Sequence, residues 1–179
     1  MLTTARLLLR PAVLTDAPNL LELNSDPAVM RFTGDKLMTS LTEAHQLIAD
    51  TLIPEFRDTR MGRFAVHLLD GSYAGWCGLK YYPQQDEVDL GYRFLKKLWG
   101  LGLATEAAAA CLGYGFHQLN LKRIIVKVMP DNTASLKVVQ KLGMTFKGYL
   151  RDPSDPMPFI VYELNRKDFK LSRDCPPQT

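Results

Sequence analysis

Trp99-Gly100-Leu101-Gly102-Leu103-Ala104 lies between an apolar, strand-like stretch, Val88 through Leu95, and an alanine-rich run from Ala104 to Leu112. A strand that ends in a glycine-bearing turn and leads into a helix suits an anion. The first-turn amides have no acceptor inside the helix, and the helix dipole adds partial positive charge. Gly100 and Gly102 have no side chain to hold a phosphate off the backbone, and Lys96 and Lys97 supply cationic charge just upstream. A plain glycine-rich connection with surface lysines is compatible with the same residues. Two other phosphate turns fail here. A Walker loop needs GK[ST] at its end, which the chain lacks, and a dinucleotide fingerprint starting at Gly100 needs glycine or alanine where Thr105 stands.

Other residues able to do chemistry have structural readings of equal weight. Glu106 falls in the first turn of the alanine-rich helix, where an acid favours the dipole without any reaction. Asn132 can cap a helix, with Ser135 in its first turn. His45, His67 and His117 lie in or beside regular elements without a paired cysteine or serine motif, so structural roles are expected for each. Cys77, Cys111 and Cys175 are far apart and form no CxxC pair, so no metal site is expected.

The elements that must position these residues follow from pattern. Arg6 to Pro11 reads as a first strand stopped by proline. Thr15-Asp16 can cap a helix that breaks at Asp26-Pro27, and Ser40-Leu41-Thr42-Glu43 has the capping-box form for a second helix running to about Phe56. Phe64 to Leu69 and Tyr73 to Leu79 read as two strands around Asp70-Gly71. Val88 to Leu95 is a further strand, and the alanine-rich helix runs to about Gln118. Arg123 to Val128, dense in β-branched residues, reads as a central strand. A helix from Asn132 to Leu142 ends at Gly143. Thr145 to Leu150 and Phe159 to Leu164 are two last strands, joined by a proline-rich loop whose acids, Asp152 and Asp155, either attract a cationic amine or form a solvated turn. The order predicts a mixed α/β sheet with a parallel-capable crossover near its middle.

The 179 residues, 46% hydrophobic, can build one core as one domain. A net charge of +3 gives no indication of a nucleic-acid partner. No apolar run approaches the ~20 residues of a membrane helix, and polar residues interrupt any signal-peptide core. A cytoplasmic protein with no membrane partner is expected, with an unordered tail at 171–179.

The turn resembles that of the GNAT superfamily of acetyl-CoA-dependent N-acetyltransferases, Gln/Arg-x-x-Gly-x-Gly/Ala, with Trp99 in place of the usual Gln or Arg. Leu98-Trp99-Gly100-Leu101-Gly102-Leu103-Ala104-Thr105-Glu106-Ala107, preceded by Asp89-Leu90-Gly91-Tyr92, is similar to the branch of ribosomal-protein N-terminal acetyltransferases. Pro130-Asp131-Asn132-Thr133-Ala134-Ser135 and Lys141-Leu142-Gly143-Met144 resemble a second block of the family. The resemblance implies a GNAT-like, mostly antiparallel twisted sheet of about six or seven strands with four helices, splayed at its two central strands. The fold class is thus α/β (α+β), with residues 1–170 as one N-acetyltransferase domain.

It further implies a site for acetyl-CoA, with coenzyme A as product. Phe94, Leu95, Trp99, Gly100, Leu101, Gly102, Leu103, Ala104, Thr105 and Asn132 would bind it. The pantetheine arm would lie along the strand edge at Phe94 and Leu95, whose amides would face the thioester oxygen. Asp89 is the best-placed acid, and either Ser135 or Tyr149 could replace the tyrosine that many relatives carry where Val139 stands. The expected acceptor is a primary amine, either a protein N-terminus or a small molecule, and the protein is a monomer or homodimer. The alternative, drawn from Val139, is a non-catalytic coenzyme A sensor or scaffold.

Overall fold

The computed structural model describes residues 1–150 and 158–170; the loop carrying Asp152 and Asp155 and the tail at 171–179 lie outside the described residues. The strands are β1 (Leu2–Thr3), β2 (Leu7–Pro11), β3 (Gly62–Leu68), β4 (Tyr73–Tyr82), β5 (Glu87–Phe94), β6 (Arg123–Val128), β7 (Thr145–Leu150) and β8 (Phe159–Asn165). They form one sheet in the order β1-β2-β3-β4-β5-β6-β8-β7. Its eight strands exceed the expected six or seven; one of them is the two-residue β1, too short to show a period of two. All neighbours are antiparallel except β5 and β6, which pair in parallel at one register point, Asp89 opposite Ile125.

The period-2 alternation of β5 assigns its two faces. Val88, Leu90 and Phe94 join the core under α5 (Leu103–Gly113) and α6 (Thr133–Lys141), together with Leu7, Leu9, Phe64 and Val66. Ala107, Ala108 and Cys111 are fully buried there, so small side chains bring α5 close to the sheet. The other face carries a second cluster, in which Trp76 and Leu95 pack with Leu20 and Leu23 of α1 (Ala17–Ser25), Val29 of α2 (Pro27–Met30) and Ala44 of α3 (Leu41–Leu47).

One helix departs from the sequence reading in two ways. The helix expected from Ser40 to about Phe56 is interrupted by a wider turn over Ile48–Leu52 before α4 (Ile53–Thr59). There Ile53 N–H donates to Ile48 O, a five-residue step, next to Pro54, which has no amide to continue the four-residue ladder. The capping box is also only half formed. Ser40 Oγ accepts from Glu43 N–H, but the Glu43 carboxylate turns to the Thr39 amide and hydroxyl.

Candidate acetyl-donor cleft

Beyond the Asp89–Ile125 pairing, β5 and β6 part, and a cleft of about 540 Å³ opens at the gap. Tyr92 and Phe94 of β5 line one side and Asn132 to Ser135, at the start of α6, the other. The glycine turn closes one end and Phe32 and Thr33, after α2, another.

Gly100 and Gly102 hold φ of 78° and 80°, the left-handed region that glycine enters without a Cβ penalty. The result is a run of free donors. Glu106 N–H is the first to close the helix, on Gly102 O, and the amides of Gly100 through Thr105 find no protein acceptor among the described residues. A Cβ built on Gly100 would meet nothing within 4 Å, so the space beside it is open to a ligand. Orphan amides at a helix N-terminus suit a pyrophosphate. Gly100, Gly102, Leu103, Ala104 and Thr105 line the cleft; Leu101 is on the turn but its side chain is turned to solvent, 55% exposed.

Trp99 lines the cleft and its indole Nε1–H donates to Phe94 O at 2.8 Å, which ties the turn back to the end of β5. Leu95 corrects the sequence reading. Its amide donates to Ala74 O at 3.0 Å and its side chain is buried on the α1 face, so it is no oxyanion donor and does not line the cleft. In an antiparallel ladder successive residues alternate between bonding the partner strand and facing away from it. Leu95 faces β4, and the Phe94 amide is therefore on the side of the gap.

Lys96 and Lys97 also depart from expectation. They flank a separate depression with Glu22 and Asp26, and Lys97 reaches Glu22 at 3.5 Å. Besides Arg93, whose guanidinium is paired with Asp35, the cations that line the cleft are Lys137 and Lys141, one helical turn apart on α6. Only that i, i+4 spacing marked them in the sequence.

Asn132 caps α6, accepting from Ser135 N–H at 3.1 Å, and still lines the cleft. The Ser135 hydroxyl is 2.7 Å from Tyr92 Oη. Burial pushes the Tyr92 phenol well above its ordinary value, so it stays protonated. No sequence spacing joined these two hydroxyls, which come from different elements. Tyr149 is 68% exposed on β7, packs on Phe146 and does not line the cleft, so it is no substitute acid.

Asp89 lies on the opposite face of β5 from Tyr92 and does not line the cleft. Its Oδ1 is enclosed with no hydrogen-bond partner among the described residues. Burial pushes the carboxyl up to about 6, against the pull of Lys127, whose charge and backbone amide both favour the anion, and of Arg63. Four residues along on the same face, Arg93 donates to Asn24 Oδ1 and, at 2.8 Å, to Asp35 Oδ2, which fastens the segment after α2 to the strand. His67 is also on that face, between Arg10 and the Gly71 carbonyl, away from the cleft.

Comparison with known proteins agrees with this architecture. Residues 6–145 match the family described as acetyltransferase (GNAT) domain. The chain is 34% identical over 156 residues to the uncharacterized N-acetyltransferase p20 of Bacillus licheniformis, covering 84% of this chain and 85% of that protein. It is 27% identical over 143 residues to spermidine N(1)-acetyltransferase of Escherichia coli, covering 79% and 74%. Among solved structures, a GNAT-family acetyltransferase from Bacillus anthracis superposes with a TM-score of 0.81 at 26% identity, over 93% of this chain and 98% of that one. The RimL ribosomal L7/L12 alpha-N-protein acetyltransferase in complex with coenzyme A shares the fold, with a TM-score of 0.79 at 18% identity over 90% and 95%. A splayed sheet, a glycine turn of orphan amides and a family match over most of the chain converge: this protein belongs to the GNAT family and is an acetyl-CoA-dependent N-acetyltransferase.

Proposed function

We propose that this enzyme moves the acetyl group of acetyl-CoA to a primary amine, a protein N-terminal α-amine or a small-molecule amine, by direct attack in a ternary complex. The observation that carries this reading is the continuity of the cleft. The orphan amides of the turn, the Phe94 amide at the strand gap and the Tyr92–Ser135 hydroxyl pair open onto one space.

The amides from Gly100 to Thr105 hold the pyrophosphate, and Lys137 and Lys141 offset its charge. Asn132 bonds the pantetheine arm, placing the thioester beside Phe94, whose amide receives the negative charge that builds on the carbonyl oxygen. Asp89, ionised above pH 6, takes the proton of the incoming ammonium through the opening between β5 and β6, directly or through one water. As the N–C bond forms and the C–S bond breaks, Ser135 gives the departing sulfur a proton and recovers one from Tyr92, which is restored through water by the second proton that the nitrogen sheds on becoming an amide. That pair supplies what Val139, fully buried, does not.

Relatives whose names specify different acceptors, spermidine and a ribosomal protein N-terminus, share this architecture, so the panel of acceptors must include both. Thiol release from acetyl-CoA, followed with polyamines, aminoglycosides and peptides beginning with alanine or serine, tests the proposal. Turnover with intersecting initial-velocity lines is expected. Parallel lines, the mark of an acetylated enzyme, would contradict direct attack. Tight coenzyme A binding without turnover on any amine would point instead to a sensor.

A further inference from the structure

Arg6, 94 positions before Gly100 in sequence, is drawn onto the glycine turn. Its Nη1 donates to the Leu101 carbonyl at 2.9 Å, and its Nε donates to Glu106 Oε2 at 2.7 Å. The Glu106 carboxylate also accepts from the Arg6 backbone amide at 2.9 Å and from the Thr4 hydroxyl at 2.6 Å. Burial alone would raise the Glu106 carboxyl, but Thr4 and Arg6 hold it below its ordinary value. The acid in the first turn of α5 is thus a fixed post, and Arg6 bridges from it to one peptide of the turn.

That peptide is the one on which the anion site depends. The Leu101 carbonyl and the Gly102 amide belong to one trans, planar unit and point in opposite directions. Holding the carbonyl toward Arg6 commits the Gly102 N–H to the other side, where Gly102 lines the cleft and Leu101 does not. Gly102 is at φ 80°, and glycine takes either sign of φ at little cost. Unanchored, the peptide can turn over and present its oxygen to an anion. Arg6 also neutralises Glu106, which otherwise places a carboxylate within one helical turn of the orphan amides.

We propose that Arg6, locked in place by Glu106, is a positioning residue that fixes the Leu101–Gly102 peptide with its amide toward the pyrophosphate of acetyl-CoA. The proposal rests on the assignment of this turn to the pyrophosphate. Because Arg6 acts through the turn, its removal weakens ligands that carry the pyrophosphate and spares those that lack it.

Calorimetric titration of the full chain with coenzyme A and with pantetheine tests this without an acceptor. Wild type should bind coenzyme A at least about tenfold more tightly than pantetheine. Arg6→Met should lose about tenfold or more for coenzyme A, roughly 1.4 kcal/mol, and keep pantetheine affinity within about twofold. Arg6→Lys keeps the charge but lacks the planar fork that grips Leu101 and Glu106 together, and should retain most of the loss. Glu106→Gln, which frees Arg6 without removing it, should show the same selectivity and serves if Arg6→Met does not fold. An unchanged coenzyme A affinity in Arg6→Met, an equal loss for both ligands, or full recovery in Arg6→Lys would overturn the positioning role. Equal wild-type affinity for the two ligands would instead overturn the pyrophosphate assignment, and the positioning role with it.

Discussion

Asp89 carries the sharpest residue-scale expectation, because its carboxyl is held at about 6 by burial. As a base it works only when ionised, so kcat/KM should rise about tenfold per pH unit below 6 and level off above it. Asp89→Asn should lower kcat/KM by about 10²-fold or more at pH 8 and remove that limb; an unchanged limb would assign the proton to another group. The sign for stability is opposite. The folded carboxyl titrates above its ordinary 3.8, so its contribution is full below that value and is lost as pH rises through about 6. Asp89→Asn should therefore not lower the urea midpoint at pH 8. Tyr92→Phe should lower kcat with little change in the KM for acetyl-CoA. Combined with Ser135→Ala it should cost less than the sum of the two, since both serve one proton path. Asp89, Asn132 and Ser135 could be found in the sequence because they sit inside motifs read along one segment. The pairing of Tyr92 with Ser135, and the roles of Lys137, Lys141 and Arg6, could not, because each depends on another element.

At the scale of elements, the turn from Trp99 to Leu103 was readable because its two constraints are local. It needs residues tolerant of positive φ, and it precedes a strong helix former. Gly102→Ala should cost about 1–2 kcal/mol in strain and lower the thermal midpoint by roughly 2–8 °C, with a loss of acetyl-CoA affinity that Leu101→Ala does not share. Differential scanning calorimetry with and without ligand reads both effects. The face to which each strand amide turns was not readable in the same way. Phe94 and Leu95 are adjacent and alike in sequence, and only the register with β4, which gives Leu95 to Ala74, separates a free amide from a used one. The helix from Ser40 showed the same limit. Its cap was legible, whereas the wider turn before Pro54 depends on where the missing amide falls in the ladder.

For the molecule as a whole, the order of strands and helices was legible because each has its own hydrophobic period. The splay was legible only through the family resemblance, since no hydrophobic period records how β5 and β6 fail to stay paired. Two ion pairs involve the N-terminal segment: Arg6 with Glu106, which fastens it to α5, and Arg10 with Asp16, a local pair buried beside His67. Burial raises both carboxyls, but hydrogen bonds from Arg10 to Asp16 and from Thr4 and Arg6 to Glu106 outweigh it, so both titrate below their ordinary 3.8 and 4.5. Their stabilisation is present above those values and lost as pH falls beneath them. Urea midpoints should therefore drop steeply below about pH 4, and less steeply in Asp16→Asn. The central claim, that acetyl-CoA is held at the glycine turn, is tested most directly by thermal unfolding with acetyl-CoA beside NAD. At about 100 times its dissociation constant acetyl-CoA should add roughly 2.7 kcal/mol and raise the midpoint by about 5–11 °C, with no response to NAD. A folded Gly102→Glu variant should lose that response. No shift in wild type, or an equal shift in the variant, would contradict the account.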